Sequence, residues 1–232
     1  MQISVIIPTF NEQENIGILI GELQKNGGDT VREIIVVDGG SSDKTIEIAQ
    51  KTGETVLQSP QRGRAAQMNY GAKMATGDVL YFVHADTRVA ATFIEDIQQA
   101  LQEDYQSGCY RFQFDSPRLI LKINSYFTRF NRLSLRGGDQ TLFISKTLFD
   151  ELGGFDEYYV IMEEYDLLRR LWAKNRKLFK LIPKSVLVSA RKYDTNGWLR
   201  VQIVNLIAVI LFRFGANPSR IARLYKKLLN YR

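Results

Sequence analysis

Short β-branched runs alternate with helical spacing through the first half of the chain. The predicted strands are 3–7, 33–37, 56–57 and 79–83, and the predicted helices that follow them are 11–24, 44–51, 64–75 and 91–101. Runs rich in Val and Ile are typical of strands buried on both faces, whereas apolar residues three or four apart are typical of amphipathic helices. Four strand-loop-helix units in succession predict a Rossmann-like, doubly wound α/β sheet that is mostly parallel.

The second half is less regular. Its predicted strands are 109–114, 141–144 and 185–189, and its predicted helices include 119–130 and 162–173, the former with Tyr126, Phe127 and Phe130 on or near an apolar face. Neither a repeat nor a low-complexity linker interrupts this half. We expect it to pack on the first half.

An apolar stretch follows at 198–214, with Val201 to Phe212 flanked by two arginines. Twelve residues are too few to cross a bilayer, which needs about 20. A basic end without acids comes after it. The sequence predicts one domain over 1–197 and an amphipathic, basic helical tail over 198–232, packed on that domain, on a membrane surface or on a partner subunit.

Composition narrows the classes of function. The chain has 232 residues, 45% of them apolar, and a net charge of +6, which favours anionic partners without choosing among them. Cys109 and His84 are the single cysteine and histidine, so an internal disulfide and a Cys/His zinc site are excluded. The start resembles no signal peptide, which predicts a cytoplasmic protein, either free or peripheral on the inner membrane face. Without interleaved aromatics or a recognition motif, nucleic acid is not expected as a partner.

Polar residues follow three of the predicted strands, at 8–12, 38–43 and 84–86. Doubly wound sheets bind their ligands beyond the carboxyl ends of the strands, at the edge where these segments should meet. The sequence therefore predicts a ligand site there.

The order and spacing of several segments resemble the family 2 glycosyltransferases, which have the GT-A fold. The resemblance covers about the first 170 residues and is carried by Val5-Ile6-Ile7-Pro8-Thr9-Phe10-Asn11-Glu12, by 34–45, by 63–77, by His84-Ala85-Asp86 and by Glu163-Glu164-Tyr165-Asp166-Leu167. Gly137-Gly138-Asp139-Gln140, Leu152-Gly153-Gly154-Phe155 and the segment 215–225 resemble a compact bacterial subgroup, some members of which are assigned to arsenosugar biosynthesis.

The resemblance implies a donor site for a nucleotide-diphosphate sugar. Its candidate residues are Pro8, Thr9, Asn11, Glu12, Asp38, Ser41, Arg62, Arg64, His84, Ala85 and Asp86. The Asp38 carboxylate can accept hydrogen bonds from a uracil N–H or a ribose hydroxyl, although a turn or helix-capping aspartate explains it equally well. Arg62 and Arg64 could meet a diphosphate at a helix N-terminus, the plain alternative being an exposed basic turn.

The triplet His84-Ala85-Asp86 stands where the family usually has Asp-x-Asp. The resemblance therefore gives Asp86 the role of binding Mn²⁺ or Mg²⁺. One carboxylate can suffice when water and the donor phosphates complete the coordination. His84 departs from the pattern. It could contact the ribose, supply a nitrogen ligand to the metal, or play no chemical part.

The acids Glu163, Glu164 and Asp166 are the candidate catalytic residues. By resemblance, Glu164 takes the position of the general base, where aspartate is commoner. Favourable placement of acids at a helix N-terminus explains part of the cluster without catalysis. Also by resemblance, the acceptor side is lined by Asp139, Gln140, Gly153, Gly154 and Phe155, a set that turn and helix-capping roles would also explain.

Together these features predict a metal-dependent inverting glycosyltransferase that uses a UDP-sugar and an unidentified hydroxyl acceptor. Two alternatives remain open: a nucleotidyltransferase, and a non-catalytic, membrane-associated protein that binds nucleotide sugars. The acid cluster at 163–166 favours sugar transfer over nucleotidyl transfer.

Overall fold

The computed structural model of the protein describes residues 1–137 and 140–229. The strands are β1 (Ile3–Thr9), β2 (Val31–Asp38), β3 (Thr55–Gln58), β4 (Val79–Phe82), β5 (Thr87–Arg88), β6 (Ser107–Phe114), β7 (Leu142–Ser145) and β8 (Phe179–Val188). The helices are α1 (Ile16–Gly27), α2 (Thr45–Lys51), α3 (Arg64–Met74), α4 (Phe93–Gln102), α5 (Leu119–Tyr126), α6 (Lys146–Glu151), α7 (Glu163–Asn175), α8 (Arg191–Asn196), α9 (Trp198–Arg213) and α10 (Pro218–Leu228).

These strands form a single mixed sheet in the order β3-β2-β1-β4-β7-β6-β8-β5. The first four run parallel to one another, β7 runs antiparallel to both of its neighbours, and β8 returns parallel to β6. The predicted doubly wound, mostly parallel α/β fold is confirmed. Its parallel part is the part that hydrophobic periodicity identified.

The core has two layers, one on each face of the sheet. Successive residues of β1 alternate between them: Val5 and Ile7 pack with α1 and α4, whereas Ile6 packs with α3, α6 and α7. All seven residues of β1 are buried, as expected for a central strand covered on both faces. Burying each of its Ile and Val side chains contributes about 1.5–3 kcal/mol, so the central strands anchor the loops at their ends.

Helix α3 lies unusually close to the sheet at Gly71. A Cβ atom at this position would come within 2.6 Å of Ile6 Cγ2 and 3.1 Å of Val37 Cγ2. The absence of a side chain therefore sets the depth of α3. This depth positions Arg64 at the N-terminus of the helix, beside the carboxyl edge of the sheet.

Several predicted bounds need correction. Strand β1 continues through Pro8 to Thr9 instead of ending at Ile7, with Pro8 in register with Val37 of β2. Pro8 is tolerated because the ladder between β1 and β4 extends no further than Ile6 and Phe82. Helix α1 begins at Ile16 and not at 11, because Asn11 has a left-handed backbone (φ 54°) incompatible with the start of a helix.

Strand β8 is twice as long as the predicted strand 185–189. Its ladder with β6 shifts register between Tyr110, opposite Ile182, and Arg111, opposite Ser185. The bulge contains Pro183, which lacks an N–H for the ladder. Proline in the middle of the segment concealed this strand from pattern analysis. The short elements β5 and α8 also escaped prediction, and the predicted helix 119–130 ends at Tyr126.

The tail consists of α9 and α10, packed on α5 and α8. A separate cluster joins these helices, formed by Leu121, Ala190, Tyr193, Val201, Val204 and Leu229. Asn217 caps α10 by accepting a hydrogen bond from the Ser219 N–H at 2.9 Å, with Pro218 next in sequence. The helical character of the tail is thus confirmed, while a domain boundary at 197 stays a prediction. Among the described residues, no helix is both long and apolar enough to cross a membrane.

Candidate functional site

The carboxyl ends of β1, β2 and β4 meet at one edge of the sheet. Thr9 ends β1, Asp38 ends β2, and His84 follows β4 by two residues. The predicted donor residues Pro8 and Thr9 are buried in the strand itself, so they shape this edge from below. The edge is the one where the sequence predicted a ligand site.

Asp38 is held by the turn that follows it. Its Oδ2 accepts hydrogen bonds from the Gly40 N–H at 2.7 Å and the Ser41 N–H at 2.9 Å, and its Oδ1 accepts one from the Ser41 hydroxyl at 2.5 Å. The side chain is 1% exposed. Asp38 therefore performs the turn-stabilising role that the sequence offered as an alternative to donor binding. Because Oδ2 already accepts two hydrogen bonds and Oδ1 only one, Oδ1 is the oxygen that retains lone-pair capacity for a further donor.

The loops after β1 and β2 are joined through Asn11. Its N–H donates to Ser41 Oγ at 2.8 Å, and its Oδ1 accepts from the Ser42 N–H at 2.8 Å. The positive φ of Asn11 permits both contacts, and asparagine tolerates this conformation better than most residues. Consequently the two loops form one rigid rim.

Gln67 fixes this rim from below, a role that sequence analysis missed. Its Nε2 donates to the carbonyl oxygens of Thr9 and Val37, both at 2.8 Å, and the side chain is 4% exposed. The available signal was a long amide side chain among the small residues of the helix predicted at 64–75. Such a residue needs buried hydrogen-bond partners.

Arg191 connects the rim to Asp86. It forms an ion pair with Glu12, with Nη1 3.0 Å from Oε2, and its Nη2 lies 3.2 Å from Asp86 Oδ2. Glu12 and Asp86 both belong to the predicted donor site, but nothing in the sequence indicates that one arginine pairs with both. Arg191 begins α8, 105 residues after Asp86, so the pairing depends on the fold of the second half.

The carboxylates at the start of α7 approach the same edge from the other side. Met162, just before the helix, has a left-handed backbone (φ 69°), a strained conformation that sets the direction of the first turn. Arg64 Nε lies 2.7 Å from Glu163 Oε1, and His84 Nε2 lies 3.3 Å from Glu164 Oε1. Both glutamates are buried, at 1% and 8% exposed. The structure thus brings together Arg64, His84 and the two glutamates.

The two neighbouring carboxyls have opposite pKa shifts. Burial raises the pKa of Glu163 to about 7, Arg64 opposes the rise, and the adjacent Glu164 adds to it. For Glu164 burial also acts upward, but the positive Arg64 and the interaction with His84 outweigh it and lower the pKa to about 2. A proton shared by the pair therefore resides on Glu163.

Asp166, the third predicted catalytic acid, lies in the same first turn of α7 but has a different set of contacts. Its oxygens pair with Arg169 Nη2 and Arg170 Nε, both at 2.7 Å. Arg170 in turn donates to the carbonyl oxygens of Leu152 and Gly154, the latter at 2.8 Å. Through Arg170, Asp166 braces the turn at Gly153 and Gly154, which stands on the predicted acceptor side.

A small cavity with room for about one water molecule lies among the residues predicted for the acceptor side. Gln140, Phe155, His84 and Glu164 are among its lining residues. Within the described ranges, Gln140 Nε2 has no hydrogen-bond partner, an uncommon state for a buried polar atom. The predicted residue Asp139 lies outside the described residues, as does Gly138. The structure thus brings Gln140 and Phe155, two residues predicted for the acceptor side, to the same cavity as Glu164.

Asn69 of α3 secures Phe155, a second contact missed from the sequence. Its side chain accepts from the Phe155 N–H at 2.9 Å and donates to the Phe155 carbonyl at 2.8 Å. Arg62, by contrast, lies exposed in the loop before α3, in keeping with either of its predicted roles.

The chemistry of this edge suits a hard divalent cation. Asp86 follows β4 and is buried only in part, with 27% of its side chain exposed. Its oxygens are the kind of ligand that Mg²⁺ and Mn²⁺ accept. Among the described residues, no group of three or more His, Cys, Asp or Glu side chains is arranged to hold a metal ion. A cation here would therefore depend on Asp86 together with water and ligand oxygens.

Relatives and solved structures resemble different extents of the chain. A dolichol-phosphate mannosyltransferase of Pyrococcus furiosus is 32% identical over 107 residues, 44% of this chain and 30% of that enzyme. A PGL/p-HBAD biosynthesis glycosyltransferase of Mycobacterium bovis is 26% identical over 223 residues, 87% of this chain and 80% of that protein. The matched segments span less than a third of the length of several such relatives.

The fold matches that of glucosyl-3-phosphoglycerate synthase from Mycobacterium tuberculosis, solved with Mn²⁺, UDP and glucosyl-3-phosphoglycerate. The TM-score is 0.67 at 22% identity, and the match covers 93% of this chain and 80% of that one. This likeness confirms the predicted GT-A fold. Residues 4–149, more than half of the chain, match the family described as glycosyl transferase family 2. The chain therefore belongs to glycosyl transferase family 2.

Proposed function

We propose that this protein is a metal-dependent inverting glycosyltransferase that moves a sugar from a UDP-sugar to a hydroxyl group of an acceptor. The observation that carries the proposal is the convergence of two buried glutamates on Arg64 and His84, at the sheet edge that also bears Asp38 and Asp86. The M. tuberculosis structure of the same fold, which contains UDP and Mn²⁺, supports the choice of donor and metal.

On the donor side, Asp38 would accept hydrogen bonds from the uracil or ribose. The turn around it supports this role. Because the turn already fixes the Asp38 carboxylate, binding a nucleotide would not require the loss of side-chain conformational entropy. Arg62 and Arg64, at the N-terminus of α3, would bind the diphosphate through charge-assisted hydrogen bonds. In this proposal Pro8, Thr9, Asn11, Glu12, Ser41 and Ala85 shape the pocket around the nucleotide.

Asp86 would hold Mn²⁺ or Mg²⁺. When bound, the cation supplies positive charge that stabilises the departing diphosphate. Arg191 pairs with Asp86 in the present structure, so cation binding would compete with this ion pair. The engagement of His84 with Glu164 favours a role on the acceptor side of the site, and a metal-ligand role for His84 stays a prediction.

Glu164 would accept the proton of the attacking hydroxyl. It lines the cavity beside Gln140 and Phe155, whereas Glu163 is more deeply buried against Arg64. A pKa of about 2 makes Glu164 a weak base while Arg64 remains beside it. If the donor diphosphate draws Arg64 away, the pKa of Glu164 rises, which couples donor binding to activation of the base.

The nucleotidyltransferase alternative is less well supported. Nucleotidyl transfer has no use for a buried glutamate that lines an acceptor cavity, as Glu164 does here. A non-catalytic binding protein is likewise disfavoured, since burying two adjacent carboxyls costs stability that a binding role would not need to retain.

The test is calorimetric titration of the protein with UDP, in the presence of Mn²⁺ and after its removal by chelator. We expect Mn²⁺ to tighten UDP binding in the wild type and to have little effect on Asp86→Ala. Asp150→Ala, an exposed acid on α6, is the matched control and should behave as the wild type. UDP binding to Asp86→Ala with unchanged Mn²⁺ dependence would contradict the metal assignment. GDP and dTDP run in parallel test the choice of base.

A further inference from the structure

Helix α9 has apolar residues on two opposite faces. Val201, Val204 and Ala208 are buried against the protein. The other face carries a stripe at helical spacing that is 43–86% exposed, formed by Leu199, Ile203, Leu206, Ile210 and, just past the helix, Phe214. A helix that is apolar all round is normally covered all round. The outer stripe therefore lacks the environment that its composition requires.

Helix α5 repeats this arrangement. Leu121 is buried, while the outward residues are 38–72% exposed, namely Leu119, Ile120, Ile123, Tyr126 and, just beyond the helix, Phe127 and Phe130. Three of these rings pack against one another, with centroid separations of 6.0–6.3 Å. A contiguous apolar patch exposed to solvent is typical of a site of contact with a membrane or another protein.

The two helices are neighbours. The Tyr193 hydroxyl lies 3.2 Å from Asn124 Nδ2 of α5 and 3.4 Å from Gln202 Nε2 of α9. Leu121, Val201 and Val204 belong to one buried cluster beneath them. The exposed apolar residues of α5 and α9 therefore occupy adjoining parts of the surface, which together with α10 we name the tail surface.

The tail surface is strongly basic. Segments 116–137 and 195–229 contain eleven of the chain's 31 Lys and Arg residues and none of its 25 acids, which leaves the rest of the chain net negative. Ten of the eleven are exposed, namely Arg118, Lys122, Arg129, Arg132, Arg200, Arg213, Arg220, Arg223, Lys226 and Lys227. Arg118 is neutralised locally by Asp194, at 2.9 Å. This concentration of positive charge coincides with the exposed apolar stripes.

We propose that the tail surface docks the protein on an anionic lipid bilayer, with the stripes of α5 and α9 in the interface and the basic side chains at the headgroups. Apolar residues flanked by Lys and Arg are the pattern of interfacial helices, and aromatic rings favour the same depth. A second copy of the chain is a poorer occupant, because a symmetric contact would oppose two surfaces of like charge. With 16 residues, α9 is too short to span the bilayer, so it lies along the surface.

The experiment is flotation of the full chain with vesicles of phosphatidylcholine alone and with 30% phosphatidylserine. We expect binding to the anionic vesicles, weakened but not abolished by 0.5 M salt because the apolar stripes remain inserted. Neutral vesicles should bind at least about tenfold less. Enzymatic activity is not needed for this measurement, so its outcome is independent of the proposed reaction.

Two pairs of variants locate the contact. Arg220→Gln, Arg223→Gln and Lys226→Gln together should weaken binding at least about tenfold, whereas Lys25→Gln, Lys44→Gln and Lys73→Gln remove the same charge elsewhere and should leave binding nearly unchanged. Leu199→Gln with Leu206→Gln should abolish the salt-resistant fraction. Their control is Ile18→Gln with Met74→Gln, residues of comparable exposure on α1 and α3.

Three results would overturn the proposal. They are failure of the full chain to float with anionic vesicles at low salt, equal losses in the two charge variants, and complete release at high salt with no effect of the leucine pair. All variants should first give the wild-type circular dichroism spectrum, and one that does not is replaced by single substitutions. A lipid-independent dimer that is lost with Leu199→Gln and Leu206→Gln would identify a second copy as the occupant.

Discussion

The two halves of the candidate site are held by different kinds of interaction. In residues 1–102, the turn after β2 satisfies Asp38 with its own N–H and hydroxyl groups, and Asn11 joins it to the loop after β1. In residues 103–229, α7 brings two buried glutamates to the edge. There, within the described residues, Glu163 Oε2 has no hydrogen-bond partner.

The first half therefore determines the shape of the site, whereas the second half contains the groups whose protonation can change. Local hydrogen bonds hold the first half in place without burying an unpaired charge, and the loss of any one of them leaves the others in place. The second half contains buried charge whose free energy depends on Arg64 and His84, so its protonation responds to whatever binds near them. We therefore expect substitutions at the α7 glutamates to have large effects and substitutions in the β2 turn to have small ones.

The largest effect is expected for Glu164→Gln. The amide keeps the shape of the side chain but cannot accept the acceptor's proton. We expect the rate of UDP release from the UDP-sugar to fall by about 10²–10⁴-fold, the usual contribution of a general base. UDP affinity, measured by calorimetry, should change little because Glu164 lies on the acceptor side.

Asp166→Asn is the comparison for this variant. Asp166 lies in the same helical turn but pairs with Arg169 and Arg170, so its loss should reduce stability more than the rate of the folded fraction. Wild-type turnover by Glu164→Gln, with UDP binding intact, would exclude Glu164 as the base.

The next effect concerns Glu163 and pH. Its folded-state pKa of about 7 exceeds the ordinary 4.5, so between these values the folded protein retains a proton that the unfolded chain releases. The contribution of Glu163 to the free energy of unfolding is fully present below pH 4.5. It is lost as the pH rises to 7, and the total loss is about 3 kcal/mol. Glu164 has the opposite pH dependence, over a lower pH range. Its lowered pKa contributes stability above pH 4.5 that is lost as the pH falls towards 2.

Glu163→Gln should remove the decline between pH 4.5 and 7, since glutamine remains neutral. Urea denaturation at pH 5 and pH 8 measures the difference in unfolding free energy. Glu14→Gln, an exposed acid, should reproduce the wild-type pH dependence. An equal decline in Glu163→Gln and wild type would show that the buried proton is not on Glu163.

The same division explains what sequence could predict. The parallel strands, their helices and the positions of Asp38 and Asp86 follow from local hydrophobic periodicity and polar strand ends, and these were found within a few residues. Glu163 and Glu164 were predicted by resemblance to family 2 glycosyltransferases, and the cluster of acids before an apolar helix face supported that prediction. Each of these signals lies within a short window of sequence.

The features that could not be predicted from the sequence depend on contacts between residues far apart along the chain. Arg191 meets Glu12 across 179 positions, and Asn69 meets Phe155 across 86. Strand β8 was shortened because Pro183 sits in a bulge that its partner β6 accommodates. The opposite pKa shifts of two adjacent glutamates arise from Arg64 and His84, which no local pattern associates with them.

The smallest effect tests the first half. Ser41→Ala removes a hydroxyl that donates to Asp38 and accepts from the Asn11 N–H, while Asp38 keeps two backbone donors. We expect a loss of about 0.5–1.5 kcal/mol in the free energy of unfolding and a modest weakening of UDP binding. Ser42→Ala is the matched control, because the Ser42 hydroxyl lies 3.4 Å from Asn11 Oδ1 and contributes little. The loss of unfolding free energy in Ser41→Ala should be smaller than the difference between pH 5 and pH 8 that Glu163→Gln removes. If the two are equal, the remaining hydrogen bonds do not hold the turn after β2, and the contrast between the two halves is wrong.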